Sequence, residues 1–354
     1  MDNLAHTLVG VALGRAVGDR RIPAAGWIGA IAANAPDWTE LILAPHAARP
    51  GSGTVYLAEH RGITHSFLGA AVEILVLTVL VNVAVSWWAR RHGDTPAGWR
   101  WIAACVALTV LSHLYMDWQG SYGLRPFLPW SARWYYADWI AIVDPFFWLV
   151  PLAALAWGAR RRWPSALAYG GALGGVTIFV LWAGRAVVAP WVRLAVVVLL
   201  VVCVVGWVRH WFGIAGRRRA AAYAMLGLTA YAAANAAAGL VVKARVHGIA
   251  VRRFGPRAEW AALTEVGRPF EWEAIYADSD TVAGHDWALP RHLDRPVVRQ
   301  AIRETPEGRA MAQFARFLAA DVDSAGDGQT VYLRDARYER RARRGWGVVA
   351  VRLR

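Results

Sequence analysis

Histidine and aspartate recur at the edges of apolar runs in this chain, and their types and spacing are those of a metal-binding chemistry. His113 and Asp117, in "LSHLYMDW", stand four apart, so on a helix they point the same way about one turn from each other. His60 and His65, in "EHRGITHS", precede a long apolar run, His6 opens the first run, Asp37 lies in "NAPDWTE", and Asp138 and Asp144 flank "WIAIV". Imidazole nitrogens with carboxylate oxygens and no cysteine suit Zn²⁺, with Mn²⁺ and Fe²⁺ as alternatives. An ion held this way lowers the pKa of its water to about 7, which makes a hydroxide nucleophile available at neutral pH.

Each residue also has a plainer role. His6 fits an interfacial histidine, Asp37 after Pro36 a turn or cap, and Arg61 a snorkelling anchor. Asp144 before Pro145 fits a helix cap, and His113 with Asp117 a hydrogen-bonded pair without metal. His60 and His65 are five apart and share no helical face, which makes His65, at the helix start, the better ligand and places His60 in the loop.

The elements that must position these residues are membrane helices. Of 354 residues, 57% are hydrophobic and 18% charged, a balance that disfavours a soluble domain. Apolar runs at about 4–16, 25–44, 66–88, 101–116, 139–158, 165–183, 194–212 and 220–242 predict a polytopic bundle of seven or eight helices, the first short and half-inserted. Many of the 21 tryptophans cluster at run edges, as in "SWW", "WRW" and "WVRHW", where interfacial anchors belong.

If the runs alternate in direction, His6, Asp37, His65, His113, Asp117 and Asp138 all approach one membrane face. The loops of the opposite face hold Arg15, Arg20, Arg21, Arg90, Arg91 and the triplets 160–162 and 217–219, whereas those of the His/Asp face hold only Arg49, Arg61, Arg125, Arg133, Arg185 and Arg193. The positive-inside rule therefore puts the His/Asp face, and the chain after residue 243, on the outer side.

The net charge of +14 is thus a topology signal, and nucleic-acid binding is excluded as a main function. The two cysteines, Cys105 and Cys203, lie in apolar runs and support neither a disulfide framework nor a cysteine zinc site. The opening "MDNLAHTLVGVALGRAVGDRR" has its arginines after the apolar part, the reverse of a secretory leader, and is expected to stay in the mature protein. Residues 1–242 then form the transmembrane domain. Residues 243–354, with alternating apolar and polar stretches and a helical segment at 295–320 broken by Pro306, form a small α+β soluble domain.

"LAHTLVGVALGR", "NAPDW", "EHRGITHSFLG", "LSHLYMDWQGSYGLRPF" and "WYYADWIAIVDP", in that order, resemble the YdjM-like, LexA-regulated family of bacterial inner-membrane metal-dependent hydrolases over about residues 1–150. "YLRDARY" loosely resembles the C-terminal part of longer members. The resemblance implies a hydrolase of phospholipid or another phosphoester, with His6, Asp37, His60, His65, His113, Asp117 and Asp144 matching the family's ligand motifs. Members commonly carry a second aspartate where Thr39 stands here, so that either Glu40 substitutes or a second ion is absent.

Together these readings predict a multi-pass inner-membrane hydrolase, phospholipase-like in substrate, holding one or two divalent ions at the outer interface. Arg61 would stabilise the developing oxyanion, and Glu59 or Asp138 would move the proton. The lipid bilayer is the expected partner and a lipid headgroup the expected substrate. A transporter using the same His/Asp cluster, or a non-catalytic membrane scaffold, is the alternative.

Overall fold

The computed structural model describes residues 1–38, 57–159, 163–209, 216–325, 328–341, 343, 345 and 347–353, divided between two compact units. The first comprises Met1–Asp37, Ile63–Ala237 and Thr264–Glu271; the second comprises Trp38–Gly62, Ala238–Leu263 and Trp272–Arg354. The boundary expected near Lys243 falls inside a continuous helix, Gly216–Phe254.

The first unit is helical. Its elements are α1 (Asn3–Gly18), α2 (Ala25–Asn34), α3 (Phe67–His92), α4 (Trp99–Trp118), α5 (Pro145–Gly158), α6 (Trp163–Leu181), α7 (Pro190–Val208) and the start of α8 (Gly216–Phe254), with 3₁₀ turns at Ala35–Asp37, Ile63–His65 and Ala183–Ala186. Among the described residues five segments are long and apolar enough to cross a bilayer: α3, α4, Trp163–Ala186, α7 and α8. Each of the eight expected runs holds one of the helices α1–α8, and α1, α2 and α5 are shorter than the roughly 20 residues a full span needs. The run expected to start at 139 becomes helical only at Pro145, because Asp144 caps it there by accepting from the Phe146 N–H at 2.8 Å.

Burial separates the core of the bundle from its lipid face. α4 buries Ile102, Val106, Thr109, Val110, His113 and Asp117, a stripe at spacings of three and four. α3 instead exposes Val72, Leu75, Val79, Leu80 and Val83, a continuous apolar face suited to hydrocarbon. Arginine and tryptophan pair near run edges, with the Arg21 guanidinium 3.6 Å from the Trp101 ring centre and Arg91 4.0 Å from that of Trp87.

α1 and α2 pack with their backbones almost touching. A Cβ at Gly10 would stand 2.5 Å from the Gly29 carbonyl oxygen, one at Gly29 would stand 2.1 Å from that of Gly10, and one at Gly14 would meet Ala25 O at 2.2 Å. Gly10, Gly14 and Gly18 recur every four residues, so they line one face of α1. This is the small-residue stripe by which membrane helices approach closely. The Asn34 amide donates to Thr7 Oγ1 at 3.0 Å and so fixes the register of the pair.

Two small sheets follow, one of strand order β1–β2–β3–β4 (Glu259–Glu265, Arg268–Ala277, Thr281–Ala283, Ala288–Pro290), whose Thr264–Glu271 part is counted with the first unit, and one of order β5–β6–β7 (Leu318–Ala325, Gly328–Asp335, Val348–Leu353) in the second. The second sheet is antiparallel, with Val331 opposite Val322 on one side and Val351 on the other. The helical segment expected at 295–320 is two helices, α9 (Pro296–Glu304) and α10 (Pro306–Phe314), divided where Thr305 caps α10. Ala261, Ile275, Val282, Phe317 and Ala336 form a core. In "YLRDARY" Asp335 is fully buried, accepts from the Arg316 and Arg337 N–H groups at 3.0 Å and pairs with the Arg337 guanidinium at 2.7 Å. That motif is therefore a folding knot. In the β2–β3 turn Asp278 accepts from the backbone N–H groups of Asp280 and Thr281, which hold its carboxyl below the usual range.

Candidate metal centre

Four element ends bring one set of side chains together. α1 contributes His6 from its first turns, the 3₁₀ turn after α2 contributes Asp37, the turn before α3 contributes His65, and the C-terminal end of α4 contributes His113 and Asp117. Two overlapping groups have donor atoms close enough to share an ion: His6, His113 and Asp117, and Asp37, His65 and His113. All three histidines and Asp117 are at least 99% buried.

The spacing of the donor atoms is that of ligands around one ion. His65 Nε2 lies 3.2 Å from Asp37 Oδ1, 3.4 Å from Asp117 Oδ2 and 3.2 Å from His113 Nε2. His113 Nε2 lies 3.5 Å from Asp37 Oδ1 and 3.6 Å from Asp117 Oδ2. Ligand atoms about 2.0–2.2 Å from a shared ion, the range for zinc with nitrogen and oxygen, sit about 3.3–3.6 Å apart at the corners of a tetrahedron. The donor set therefore fits a divalent ion in both chemistry and size.

Surrounding bonds fix the orientation of the donors. His113 Nδ1 donates to the Ala33 carbonyl at 2.7 Å, which leaves Nε2 as the free lone pair facing the cluster. The Asn3 amide donates to Asp37 Oδ2 at 3.1 Å and leaves Oδ1 to the histidines. His65 Nδ1 meets Thr64 Oγ1 at 3.2 Å. His6 stacks on His113, centroids 3.8 Å apart, and its Nε2 reaches Asp117 Oδ1 at 3.2 Å, so the two oxygens of Asp117 face different histidines.

Electrostatics calls for a cation here. Two carboxylates share the cluster, and Asp117 sits in the last turn of α4, where the exposed carbonyls form the negative end of the helix dipole. His6 Nδ1 is buried with no hydrogen-bond partner among the described residues.

The structure thus brings together His6, Asp37, His65, His113 and Asp117. Neither group includes His60, Asp144, Asp138, Glu59 or Arg61. Asp144 caps α5 and accepts the Tyr231 hydroxyl at 2.6 Å. Asp138 is buried with φ +50°, in the irregular segment before α5. Glu59, His60 and Arg61 belong to the second unit, with Arg61 buried at φ +49°. Thr39 and Glu40 lie outside the described residues. Tyr231→Phe keeps the ring and removes the hydroxyl that faces buried Asp144. It is expected to lower stability by about 1–3 kcal/mol, seen as a fall in the thermal midpoint in detergent.

Some supporting residues escaped sequence reading. Asn3 and the Ala33 carbonyl carry no local signal, because their partners lie on other helices. Gly69 does carry one, as a glycine three residues into an apolar helix: a Cβ there would stand 1.9 Å from the Ile63 carbonyl, so its absence lets the turn bearing His65 close on α3. Ser66 caps α3 by accepting from the Gly69 N–H at 3.0 Å.

The chain is 29% identical over 164 residues to an uncharacterized protein of Bacillus subtilis (strain 168), YfhP, a match covering 44% of this chain and 46% of that protein. The chain thus spans about half the length of this curated relative. No solved structure matches it. The model of the YdjM inner membrane protein family matches residues 1–213, the region that carries all five clustered residues and the helices that hold them. The chain is a membrane protein of the YdjM inner membrane protein family.

Proposed function

We propose that the protein is a membrane-embedded metal-dependent hydrolase, with His65, His113, Asp37 and Asp117 holding one divalent ion, most simply zinc, and His6 orienting Asp117 through its other oxygen. The observation that carries this reading is that His65 Nε2 and His113 Nε2 lie 3.2 Å from each other and each 3.2–3.6 Å from Asp37 Oδ1 and Asp117 Oδ2. A divalent ion in such a site supplies a nucleophile from water at neutral pH and polarises an ester oxygen.

The chain's own contribution is to hold the donors. The Ala33 carbonyl sets the His113 tautomer, Asn3 turns Asp37, and the glycine-packed α1–α2 pair keeps His6 and Asp37 at fixed separation. Because the ligands come from the ends of apolar helices, the site lies at headgroup depth, which favours a phosphoester of a lipid headgroup over a soluble substrate. The Arg-poor loops that alternation of all eight apolar runs assigns to that side support an outer-face location. Glu59, Arg61 and Asp138 are retained as candidates for proton movement and oxyanion stabilisation on chemical type alone.

The test is release of a water-soluble phosphate product from phospholipid in nanodiscs by the purified full-length protein. Release that is lost on chelation, restored by Zn²⁺ or Mn²⁺ and absent in Asp37→Asn is the expected result. A metal-loaded protein that releases nothing across a phosphoester panel would end the hydrolase reading, and metal flux in sealed vesicles without turnover would favour a transporter.

A further inference from the structure

A second polar site lies at the far end of α1. Arg15 is nine residues from His6, about 13–14 Å along the helix axis, and lines a cavity of about 530 Å³ whose wall also includes Asp19, Trp27, Ser165, Tyr169 and Arg217. Arg217 and Asp19 satisfy each other in a two-point pair, Nε to Oδ2 at 2.5 Å and Nη2 to Oδ1 at 2.6 Å. Arg15 has no such partner among the described residues. Its Nη2 donates to the neutral Tyr169 hydroxyl at 2.9 Å, its guanidinium lies 5.0 Å from that ring's centre, and its Nη1 is buried with no hydrogen-bond partner among the described residues.

A half-buried guanidinium nitrogen is costly to leave without an acceptor, and Asp19 is already paired with Arg217. The missing acceptor must be an oxyanion small enough to enter and able to take a donor from Nη1, with the Ser165 hydroxyl on the same wall as a further donor. Phosphate oxygens suit this best, because guanidinium groups bind them in charge-assisted, often forked pairs. The volume exceeds that of a bare phosphate and accommodates a glycerophosphate-sized headgroup. Trp27 lines the cavity and is 70% exposed, so it stands at the rim, where tryptophan marks headgroup depth. Basic pockets between membrane helices are a recurrent way of holding anionic headgroups.

We propose that this cavity binds a phosphate-type oxyanion, the chemistry shared by a phospholipid headgroup and free phosphate, with Arg15 Nη1 as the principal donor. The site is separate from the His/Asp centre and does not depend on its function.

The experiment measures the thermal midpoint of the full-length protein in nanodiscs of phosphatidylcholine, with and without inorganic phosphate, and in nanodiscs containing phosphatidylglycerol. Native mass spectrometry of retained lipid accompanies each arm. If the headgroup is the source, phosphatidylglycerol is retained about tenfold over phosphatidylcholine by the wild type, and Arg15→Gln falls to parity, as loss of one charge-assisted bond predicts. If free phosphate is the source, it raises the midpoint in phosphatidylcholine discs for the wild type alone. Ser165→Glu, which leaves Arg15 and Tyr169 in place and puts a carboxylate in the wall, is expected to abolish either effect, and it decides the matter if Arg15→Gln does not fold. No preference for either anion in the wild type, or undiminished binding in the variants, overturns the proposal.

Discussion

His113→Ala is expected to strip the protein of its metal. Elemental analysis should find about one ion per wild-type chain and essentially none in the variant, because His113 is the single residue common to both ligand groups. Loss of a residue that merely orients a ligand typically costs about 10–100-fold in affinity, so loss of the shared ligand should exceed that range. Asp144→Asn provides the contrast. Sequence reading ranks Asp144 with Asp37, His6 and His60, behind His65, His113 and Asp117, and in the structure its carboxylate caps α5 and accepts from Tyr231, so this variant should keep its ion. Equal metal content in His113→Ala and wild type would sink the metal assignment. Two ions per wild-type chain would instead indicate that His6 and the second oxygen of Asp117 hold an ion of their own.

The second large effect belongs to a residue that touches no ligand. Gly14→Ala adds one carbon, which would stand 2.2 Å from the Ala25 carbonyl oxygen, and backbone on a packed helix cannot yield as a side-chain tip can. α1 and α2 must therefore separate. Overpacking of this kind costs about 1–3 kcal/mol even where side chains can relax, and the upper end is expected here. The same separation moves His6 away from Asp37 and the Ala33 carbonyl away from His113, so metal content should fall together with the thermal midpoint. Gly174→Ala in α6 is the matched control: nothing lies within 4 Å of the added carbon, so the exchange should be neutral or slightly stabilising. A Gly14→Ala protein with wild-type midpoint and metal content would refute the role given to the close α1–α2 approach.

Most of this centre was legible in the sequence because ionisable residues in apolar surroundings are few, and helix alternation alone sends His6, Asp37, His65, His113 and Asp117 to one end of the bundle. The five-residue spacing of His60 and His65 separated two otherwise equal histidines, and of the two only His65 lies in a His/Asp group close enough to share an ion. Asp144 shows the limit of motif reading, since "DP" at a helix start writes the same letters for a cap as for a ligand. Boundaries were less legible. Hydropathy does not register that Asp144 caps a helix whose first position is Pro145, so the run at 139–158 looked longer than α5 is. Nor does it show that the helix through Lys243 continues to Phe254, because polar residues extend a helix as readily as apolar ones once it has left hydrocarbon. The four-residue repeat of Gly10, Gly14 and Gly18 was plainly visible, but its meaning depends on which helix lies opposite, and that is a tertiary fact.

The position of Asp117 has a thermodynamic consequence. A carboxylate held against the carbonyl end of α4 beside a second carboxylate raises the free energy of the empty fold, and an ion that binds between them removes that penalty only in the folded state. Loading and folding are then linked equilibria, each raising the other as ligand concentration climbs above its dissociation constant. Metal supply would set how much of this protein survives in the membrane as well as how much of it is active.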